Sequence, residues 1–260
     1  MIAFFIFVFG LIVGSFLNVI ILRLNTGEST MVGRSRCFAC GAKLKWFELI
    51  PLLSFVMLRG RCGTCGSRIS SQYPLVELAT GAIFYAAYAK WLISAPDFSG
   101  IIWPVSLLWV FAFWSVFLVS AVYDLRHKIL PDQNTYLLII IALLGVIIFD
   151  RERLLQSVAV GGVLFLFFAS LWLISRGRWM GFGDAKLFFG AGVFLGWPQA
   201  LLALFFSFWI GAIISVAVAI WRRTLNLKSE IPFAPFIFLG SFIAFLCGNV
   251  IYLWYLNLLI

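Results

Sequence analysis

Two aspartates lie where long apolar stretches of the chain meet short basic loops. Asp124 ends one such stretch, and Asp184 closes the motif Gly181-Phe-Gly-Asp184 at the start of another. Two carboxyl groups held close together do not both ionise readily, so such a pair shares a proton. The ionised partner can take a proton from water, while the protonated partner polarises a peptide carbonyl and later protonates the leaving amine. We therefore interpret Asp124 and Asp184 as a candidate catalytic pair.

Each aspartate also has an ordinary structural explanation. Asp184 could cap a helix that starts at Ala185, because an aspartate accepts hydrogen bonds from the first free N–H groups of a helix. Asp124 could pair with Arg126 or Lys128, as charged residues at a membrane surface commonly do. The residue types alone leave these alternatives open.

Three further ionisable residues lie near the same ends of the apolar stretches and are candidates for a functional role. Asp132 follows Pro131 and is expected to cap the next helix. His127, the single histidine, is either a ligand or base or an exposed loop residue. Glu77 lies inside an apolar stretch near its basic end, and its role is open.

Four cysteines form two C-x2-C pairs, which suggest a metal site. Cys37 and Cys40 make the first pair, Cys62 and Cys65 the second, and 21 residues separate the pairs. Four thiolates complete a tetrahedron around Zn²⁺ and leave no open position, so the predicted role of the metal is structural. Two disulfides or four unrelated thiols are the alternatives, and a reducing cytosolic location disfavours the disulfides.

The elements that must position these residues are membrane helices. Apolar residues make up 63% of the 260-residue chain and charged residues only 11%, which excludes a soluble globular or disordered protein. The apolar runs are continuous rather than alternating, so an outer-membrane barrel is not expected. We predict an all-α polytopic membrane protein with about eight transmembrane helices, from the stretches Ile2–Leu22, Tyr73–Ile93, Ile101–Tyr123, Thr135–Phe149, Leu155–Ser175, Leu187–Trp197, Ala200–Trp221 and Phe236–Leu256.

One proline decides how the later stretches are counted. Pro198 divides a long apolar run into a short sixth stretch and a seventh. Proline breaks helices, so we expect a pair of helices joined by a tight turn. A single long, kinked helix is the alternative, and it would invert the placement of everything that follows.

The basic residues are distributed unevenly between the two sides of the membrane. With eight spans, 16 of the 19 Lys and Arg residues fall on one side. The positive-inside rule makes that side cytosolic and places both termini outside. The net charge of +9 then reflects the orientation of the chain in the membrane and contact of its basic loops with the lipid bilayer. Nucleic-acid binding is not expected. We divide the chain into a first transmembrane helix (1–22), a cytosolic tetracysteine zinc-binding segment (23–72) and a helical membrane domain that carries the candidate aspartate pair (73–260).

Taken in order along the chain, these motifs resemble those of a known family. The resemblance to the type IV prepilin peptidases, which are membrane aspartyl proteases of the G-x-G-D kind, covers nearly the whole chain. It rests on Gly14-Ser-Phe-Leu-Asn-Val19, the two C-x2-C pairs, Ile50-Pro-Leu-Leu-Ser54, Tyr73-Pro-Leu-Val-Glu77, Asp124 with Ile129-Leu-Pro-Asp132, Gly181-Phe-Gly-Asp184 and Ile231-Pro-Phe-Ala-Pro-Phe236.

The resemblance implies a function and a location. Members of this family are multi-pass enzymes of the bacterial inner membrane that remove the leader peptide from type IV prepilins and type II secretion pseudopilins on the cytosolic side. Many of them then methylate the new N-terminal amine with S-adenosylmethionine. The resemblance assigns Asp124 and Asp184 as the catalytic aspartates and Cys37, Cys40, Cys62 and Cys65 as the zinc ligands, and it implies prepilin or pseudopilin partners.

Overall fold

The computed structural model describes residues 1–29, 33, 35–93, 102–222 and 232–259. Several residues used in the sequence analysis lie outside the described residues. They are Arg34, Arg223 and Lys228 of the basic loops, Ile101 at the start of the third stretch, and Ile231 of the last motif.

The described residues form helices, and their β-structure is limited to two isolated antiparallel bridges, Arg36 with Lys43 and Arg61 with Arg68. Two short 3-10 helices occupy Trp46–Leu49 and Arg151–Arg153. The α-helices are α1 (Ile2–Arg23), α2 (Leu53–Met57), α3 (Gln72–Ile93), α4 (Ile102–His127), α5 (Asp132–Phe149), α6 (Leu154–Ser175), α7 (Phe182–Leu195), α8 (Gln199–Arg222) and α9 (Ala234–Leu259).

Each of the eight predicted apolar stretches coincides with one of these helices, which confirms the polytopic all-α fold. Apolar chain in lipid must satisfy its backbone hydrogen bonds internally, and a helix does so within one segment. Within the described residues, six helices are long and apolar enough to cross a membrane: α1, α4, α5, α6, α8 and α9. The 22-residue α3 is long enough, but Glu77 and Lys90 make it less apolar, and α7 has only 14 residues.

Prolines lie at the boundaries of several helices. α7 ends at Leu195 and α8 begins at Gln199, with Pro198 between them, so the structure has the predicted pair of helices. The alternative of one long kinked helix is wrong. Pro235 is the second residue of α9. A proline is tolerated there because the first N–H groups of a helix have no partner within the helix.

The chain divides into two compact units, Met1–Phe98 and Ser99–Ile260. In the first unit α1 packs closely on α3 through small residues. A Cβ atom at Gly10 would lie 2.7 Å from Cα of Gly81, and one at Gly14 would lie 2.7 Å from Cα of Glu77. Small residues let helix backbones approach in lipid, where the gain comes from close packing rather than from the exclusion of water.

The second unit has an aromatic core built from α4, α7 and α9. The rings of Phe113 and Phe194 stack with centroids 3.8 Å apart, and Trp114 is fully buried against Phe242 at 4.8 Å. Such ring pairs each contribute about 0.5–1.5 kcal/mol beyond their buried area. These contacts fix α7 against the longer helices on either side of it.

A second close approach places α7 on α6. A Cβ at Gly192 would lie 2.7 Å from Cα of Gly161, so both positions require the smallest residue. Ten of the 14 residues of α7 are buried. The helix that carries Asp184 is therefore enclosed by protein along most of its length.

Candidate active site and metal centre

Asp124 lies near the end of α4 and is buried, with 6% of its surface exposed. Its Oδ2 accepts a hydrogen bond of 3.1 Å from the backbone N–H of Ala234, the first residue of α9. The first N–H groups of a helix have no partner within the helix, and the positive end of the helix dipole favours a negative charge. The start of α9 therefore orients the Asp124 carboxyl group.

Asp184 is the third residue of α7 and is equally buried, with 6% exposed. Its backbone N–H donates to the carbonyl of Gly181, which precedes the helix in an extended conformation. The carboxyl group of Asp184 interacts electrostatically with that of Asp124. Packing of the second unit thus brings together two acids that are 60 residues apart in sequence.

The two glycines of the Gly181-Phe-Gly-Asp184 motif differ in the space around them for a side chain. A Cβ at Gly183 would lie 2.9 Å from Cβ of Leu130, so this glycine lets α7 approach the segment that follows α4. A Cβ at Gly181 would meet nothing closer than 3.8 Å. Gly183 is therefore required by contact within the chain itself.

Asp132 does not have its predicted role as a helix cap. It is the first residue of α5, which follows Pro131 and has no side-chain cap. Its Oδ1 instead lies 2.7 Å from Nζ of Lys186, in the first turns of α7. Asp132 pairs with a lysine that is 54 residues away in sequence, and the local sequence around Asp132 does not indicate such a partner.

His127 is exposed, as one of the two sequence-based alternatives had it, but it is the last residue of α4 and not a loop residue. Its ring lies against Tyr123, with centroids 4.2 Å apart, and its Nδ1 is 3.3 Å from the Tyr123 carbonyl. These contacts are with its own helix.

The pair Asp124 and Asp184 can carry out acid–base chemistry on a peptide bond. Two buried carboxyl groups that interact electrostatically share a proton, so one accepts a proton from water while the other donates a hydrogen bond to a carbonyl oxygen. Such a pair titrates as a unit, and neither residue has a fixed role in the free site.

The four predicted metal ligands come together in the first unit. The Sγ atoms of Cys37, Cys40, Cys62 and Cys65 all lie within 4.8 Å of one another, and those of Cys37 and Cys65 are 3.9 Å apart. Tetrahedral Zn–S bonds of about 2.3 Å place sulfurs about 3.8 Å apart, so the spacing suits Zn²⁺. Hydrogen bonds from the Cys40 and Ala39 backbones, with Ser67, lower the pKa of the Cys37 thiol to about 6. Against a backbone hydrogen bond from Ala42, burial and the neighbouring Cys65 and Cys37 raise the pKa of the Cys40 thiol to about 11, so metal binding must displace the Cys40 proton.

The two C-x2-C turns have matching backbone structure. The N–H of Cys37 donates to Ala42 O at 2.9 Å, and the N–H of Cys62 donates to Ser67 O at 2.8 Å. Gly41 and Gly66 have φ values of 71° and 70°, a left-handed conformation that glycine adopts without strain. Each turn therefore directs its two thiols to a common point.

Sequence reasoning missed the contact that Glu77 makes. Its Oε2 accepts the backbone N–H of Leu52 at 2.8 Å, and Leu52 has a φ of 58°. The N–H of Leu53 bonds to the carbonyl of Pro51, so Leu52 is the centre of a γ-turn that is strained for a branched side chain. A buried acid in an apolar helix was the available signal, but its partner is a backbone group, which no residue type indicates.

A cleft of about 590 Å³ opens near the end of α1 in the first unit. Arg23, Arg36, Lys43 and Glu28 line it, and Glu28 pairs with Arg36 at 2.6 Å. Arg23 also pairs with Glu28, at 3.7 Å. The lining side chains therefore have an excess of two positive charges that could hold a ligand carboxylate.

An all-α membrane protein with a buried pair of aspartates has the features of a membrane aspartyl protease, and comparison with known proteins agrees. Residues 8–91 match the family described as the bacterial peptidase A24 N-terminal domain, and residues 109–216 match the type IV leader peptidase family. The second match contains both Asp124 and Asp184.

Curated relatives extend the similarity to the full length of the chain. A protein of Bacillus subtilis (strain 168) named prepilin leader peptidase/N-methyltransferase is 33% identical over 252 residues, 97% of each chain. Proteins with the same name from Myxococcus xanthus (38% over 237 residues, 88% of this chain and 68% of that one) and Aeromonas hydrophila (34% over 281 residues, 97% and 93%) are also similar. The chain belongs to the type IV leader peptidase family, as its motifs predicted. No solved structure matches it.

Proposed function

We propose that the chain is a prepilin peptidase, an endopeptidase that removes the leader peptide from type IV prepilins and type II secretion pseudopilins. The observation that carries the proposal is the burial of Asp124 and Asp184 as an interacting pair at the ends of α4 and α7. The names of the full-length relatives supply the substrate class.

The two acids divide the work of hydrolysis between them. The ionised carboxylate takes a proton from a water molecule, whose oxygen attacks the carbonyl carbon of the scissile bond. The protonated carboxylic acid donates a hydrogen bond to the carbonyl oxygen, where negative charge develops. As the C–N bond breaks, one carboxyl group gives a proton to the leaving nitrogen. The pair had gained one proton from water, so it ends with the single shared proton with which it began. The Ala234 N–H keeps Asp124 in place throughout.

The topology that we propose places this chemistry on the cytosolic side of the bacterial inner membrane, with both termini in the periplasm. Support comes from the uneven distribution of Lys and Arg over the eight apolar stretches, six of which form helices that are long and apolar enough to cross a membrane. We also propose residues 23–72 as the cytosolic metal-binding segment and 73–260 as the protease domain, although by packing the first unit also includes α3.

Cys37, Cys40, Cys62 and Cys65 are the proposed ligands of one structural Zn²⁺ ion. The support is the sulfur spacing, which suits a closed tetrahedral site. A loop of about 50 residues is too small to form an ordinary core, and a metal supplies folding free energy directly. Metal analysis of the purified protein tests this: a folded, metal-free loop would contradict it.

We propose N-methylation of the new amine as a second activity, because the relatives are named for both activities. S-adenosylmethionine, when bound, supplies the methyl group. Its carboxylate suits the cationic side chains Arg36 and Lys43 of the cleft, and its ribose hydroxyls suit Glu28. Equilibrium dialysis with labelled S-adenosylmethionine tests this binding without turnover, and unchanged binding by an Arg36→Ala/Lys43→Ala variant would exclude the cleft.

The experiment that tests the main proposal is incubation of the purified protein, in lipid, with a prepilin. The mass of the product reports the cleavage position and any added methyl group. The expected product lacks the leader. An unchanged substrate with a folded, zinc-loaded protein would contradict the proposal.

A further inference from the structure

The loop that carries the cysteines has an unusual stretch of uncovered apolar side chains, residues 46–57, which we name the apolar segment. Trp46, Val56 and Met57 are 78%, 70% and 71% exposed. Phe47, Leu49, Ile50 and Leu53 are also exposed, and the segment includes a 3-10 helix and α2. An apolar patch of this size on a loop marks a site that something covers.

Glu77 ties the apolar segment to α3. The N–H of Leu52, in the middle of the segment, donates to Oε2 of Glu77 at 2.8 Å. Glu77 is the sixth residue of α3, about 7.5 Å along the axis from the first residue of that helix. α3 packs on α1, which is long and apolar enough to cross a membrane, so the segment lies beside a membrane-embedded pair of helices.

The residues that flank the apolar segment are basic and exposed. Lys45 precedes it, and Arg59 and Arg61 follow it. The one acid within the segment, Glu48, accepts the N–H of Lys45 at 2.7 Å and so closes its own helical turn. Tryptophan and apolar residues between cations are typical of segments that lie in an anionic membrane interface.

We propose that residues 46–57 insert into the adjoining leaflet and anchor the cysteine loop to an anionic lipid surface. Glu77 stabilises the strained turn at Leu52, in the middle of the segment. The occupant of the exposed face is the bilayer itself. This inference needs neither the proposed peptidase activity nor a particular orientation, because α3 places the loop next to one leaflet in either case.

Hydrogen exchange on the full-length protein in nanodiscs tests the anchor. In phosphatidylglycerol-rich nanodiscs, we expect amides of residues 46–58 to exchange roughly tenfold more slowly in the wild type than in a Val56→Asp/Met57→Asp variant. The matched control is Phe38→Asp, which changes a side chain of the same loop that is also 71% exposed. We expect it to leave exchange in 46–58 unchanged. Zinc content shows whether each variant keeps a folded loop.

A charge variant separates lipid from other occupants. Lys45→Gln/Arg59→Gln/Arg61→Gln should weaken the protection in phosphatidylglycerol and leave it unchanged in phosphatidylcholine, because only the anionic headgroups attract the cations. Protection that is equal in detergent and in both lipids would show that the chain covers its own segment and would overturn the proposal. Protection that appears only when a prepilin is added would assign the face to substrate and would also overturn it.

Discussion

The backbone N–H of Ala234 donates a 3.1 Å hydrogen bond to Oδ2 of Asp124, although the two residues are 110 positions apart. The bond gives a physical role to the last motif of the chain, Pro-Phe-Ala-Pro-Phe at residues 232–236. Ala234 opens α9, so its N–H is free for a side chain, whereas Pro235 has no N–H to offer. Asp124 is thus held by α9 and Asp184 by α7.

Replacement of either aspartate by asparagine should abolish cleavage. Asp124→Asn and Asp184→Asn keep the shape of the side chain but remove the shared proton, so we expect a loss of at least about a thousandfold. Product mass after incubation with a prepilin measures the effect. Asp150→Asn is the matched control, because Asp150 makes an exposed pair with Arg153. Cleavage by either active-site variant at the wild-type rate would remove that residue from the catalytic pair.

The contact between Lys186 and Asp132 should position Asp184 without taking part in the chemistry. Lys186 also lies over the rings of Tyr136 and Phe182, at 4.9 and 5.2 Å from their centroids. We expect Lys186→Met to lower cleavage severalfold and Lys186→Arg to restore most of it. A double-mutant cycle with Asp132→Asn should give a coupling below about 1 kcal/mol, because Asp132 is 64% exposed. Complete inactivity of Lys186→Arg would argue for a direct chemical role.

Two neighbouring glycines in α6 should respond in opposite ways to alanine. A Cβ at Gly161 would lie 2.9 Å from the carbonyl oxygen of Phe189, whereas a Cβ at Gly162 would meet nothing within 4 Å. Gly161→Ala should separate α6 from α7 and cost about 2 kcal/mol. Gly162→Ala should be neutral or stabilising by up to about 1 kcal/mol. Unfolding in detergent measures both, and equal effects would contradict the close packing of α6 on α7.

Loss of the metal should affect the loop and leave the aspartate pair intact. Cys37→Ser and Cys62→Ser each remove one thiolate from a site that we expect to hold about one zinc ion per chain. Metal content should fall and amide exchange in residues 36–69 should rise, while thermal unfolding of the second unit should be unchanged. Separate measurements of cleavage and methylation then show which activity needs the loop. Full zinc content in both variants would rule out the tetracysteine site.

The sequence was sufficient for the helices because each apolar run had to hydrogen-bond within itself. All eight runs became helices, but their ends moved. α7 begins at Phe182, five residues before the predicted start at Leu187, because Gly181 is its extended N-cap residue and the polar residues Asp184 and Lys186 belong to its first turns. α4 continues past Tyr123 to His127. The apolar residues of a stretch indicate which part lies in lipid, whereas the helix continues as far as its backbone hydrogen bonds do.

The acidic residues and cysteines of the candidate sites could be predicted from the sequence. The groups that hydrogen-bond to the acids could not. Asp124, Asp184 and the four cysteines have distinctive residue types and spacing. The donors to Asp124 and Glu77 are the backbone N–H groups of Ala234 and Leu52. Every residue except proline has such a group, so their positions become known only from the folded chain.

The length of α7 has a consequence for how water reaches the acids. Its 14 residues extend about 21 Å, about 9 Å less than the hydrocarbon thickness of a bilayer. Because ten of its residues are buried among longer helices, protein surrounds most of it. We therefore expect solvent to reach the first turn of α7 through a polar opening on one face of the bilayer, without a pore through the membrane.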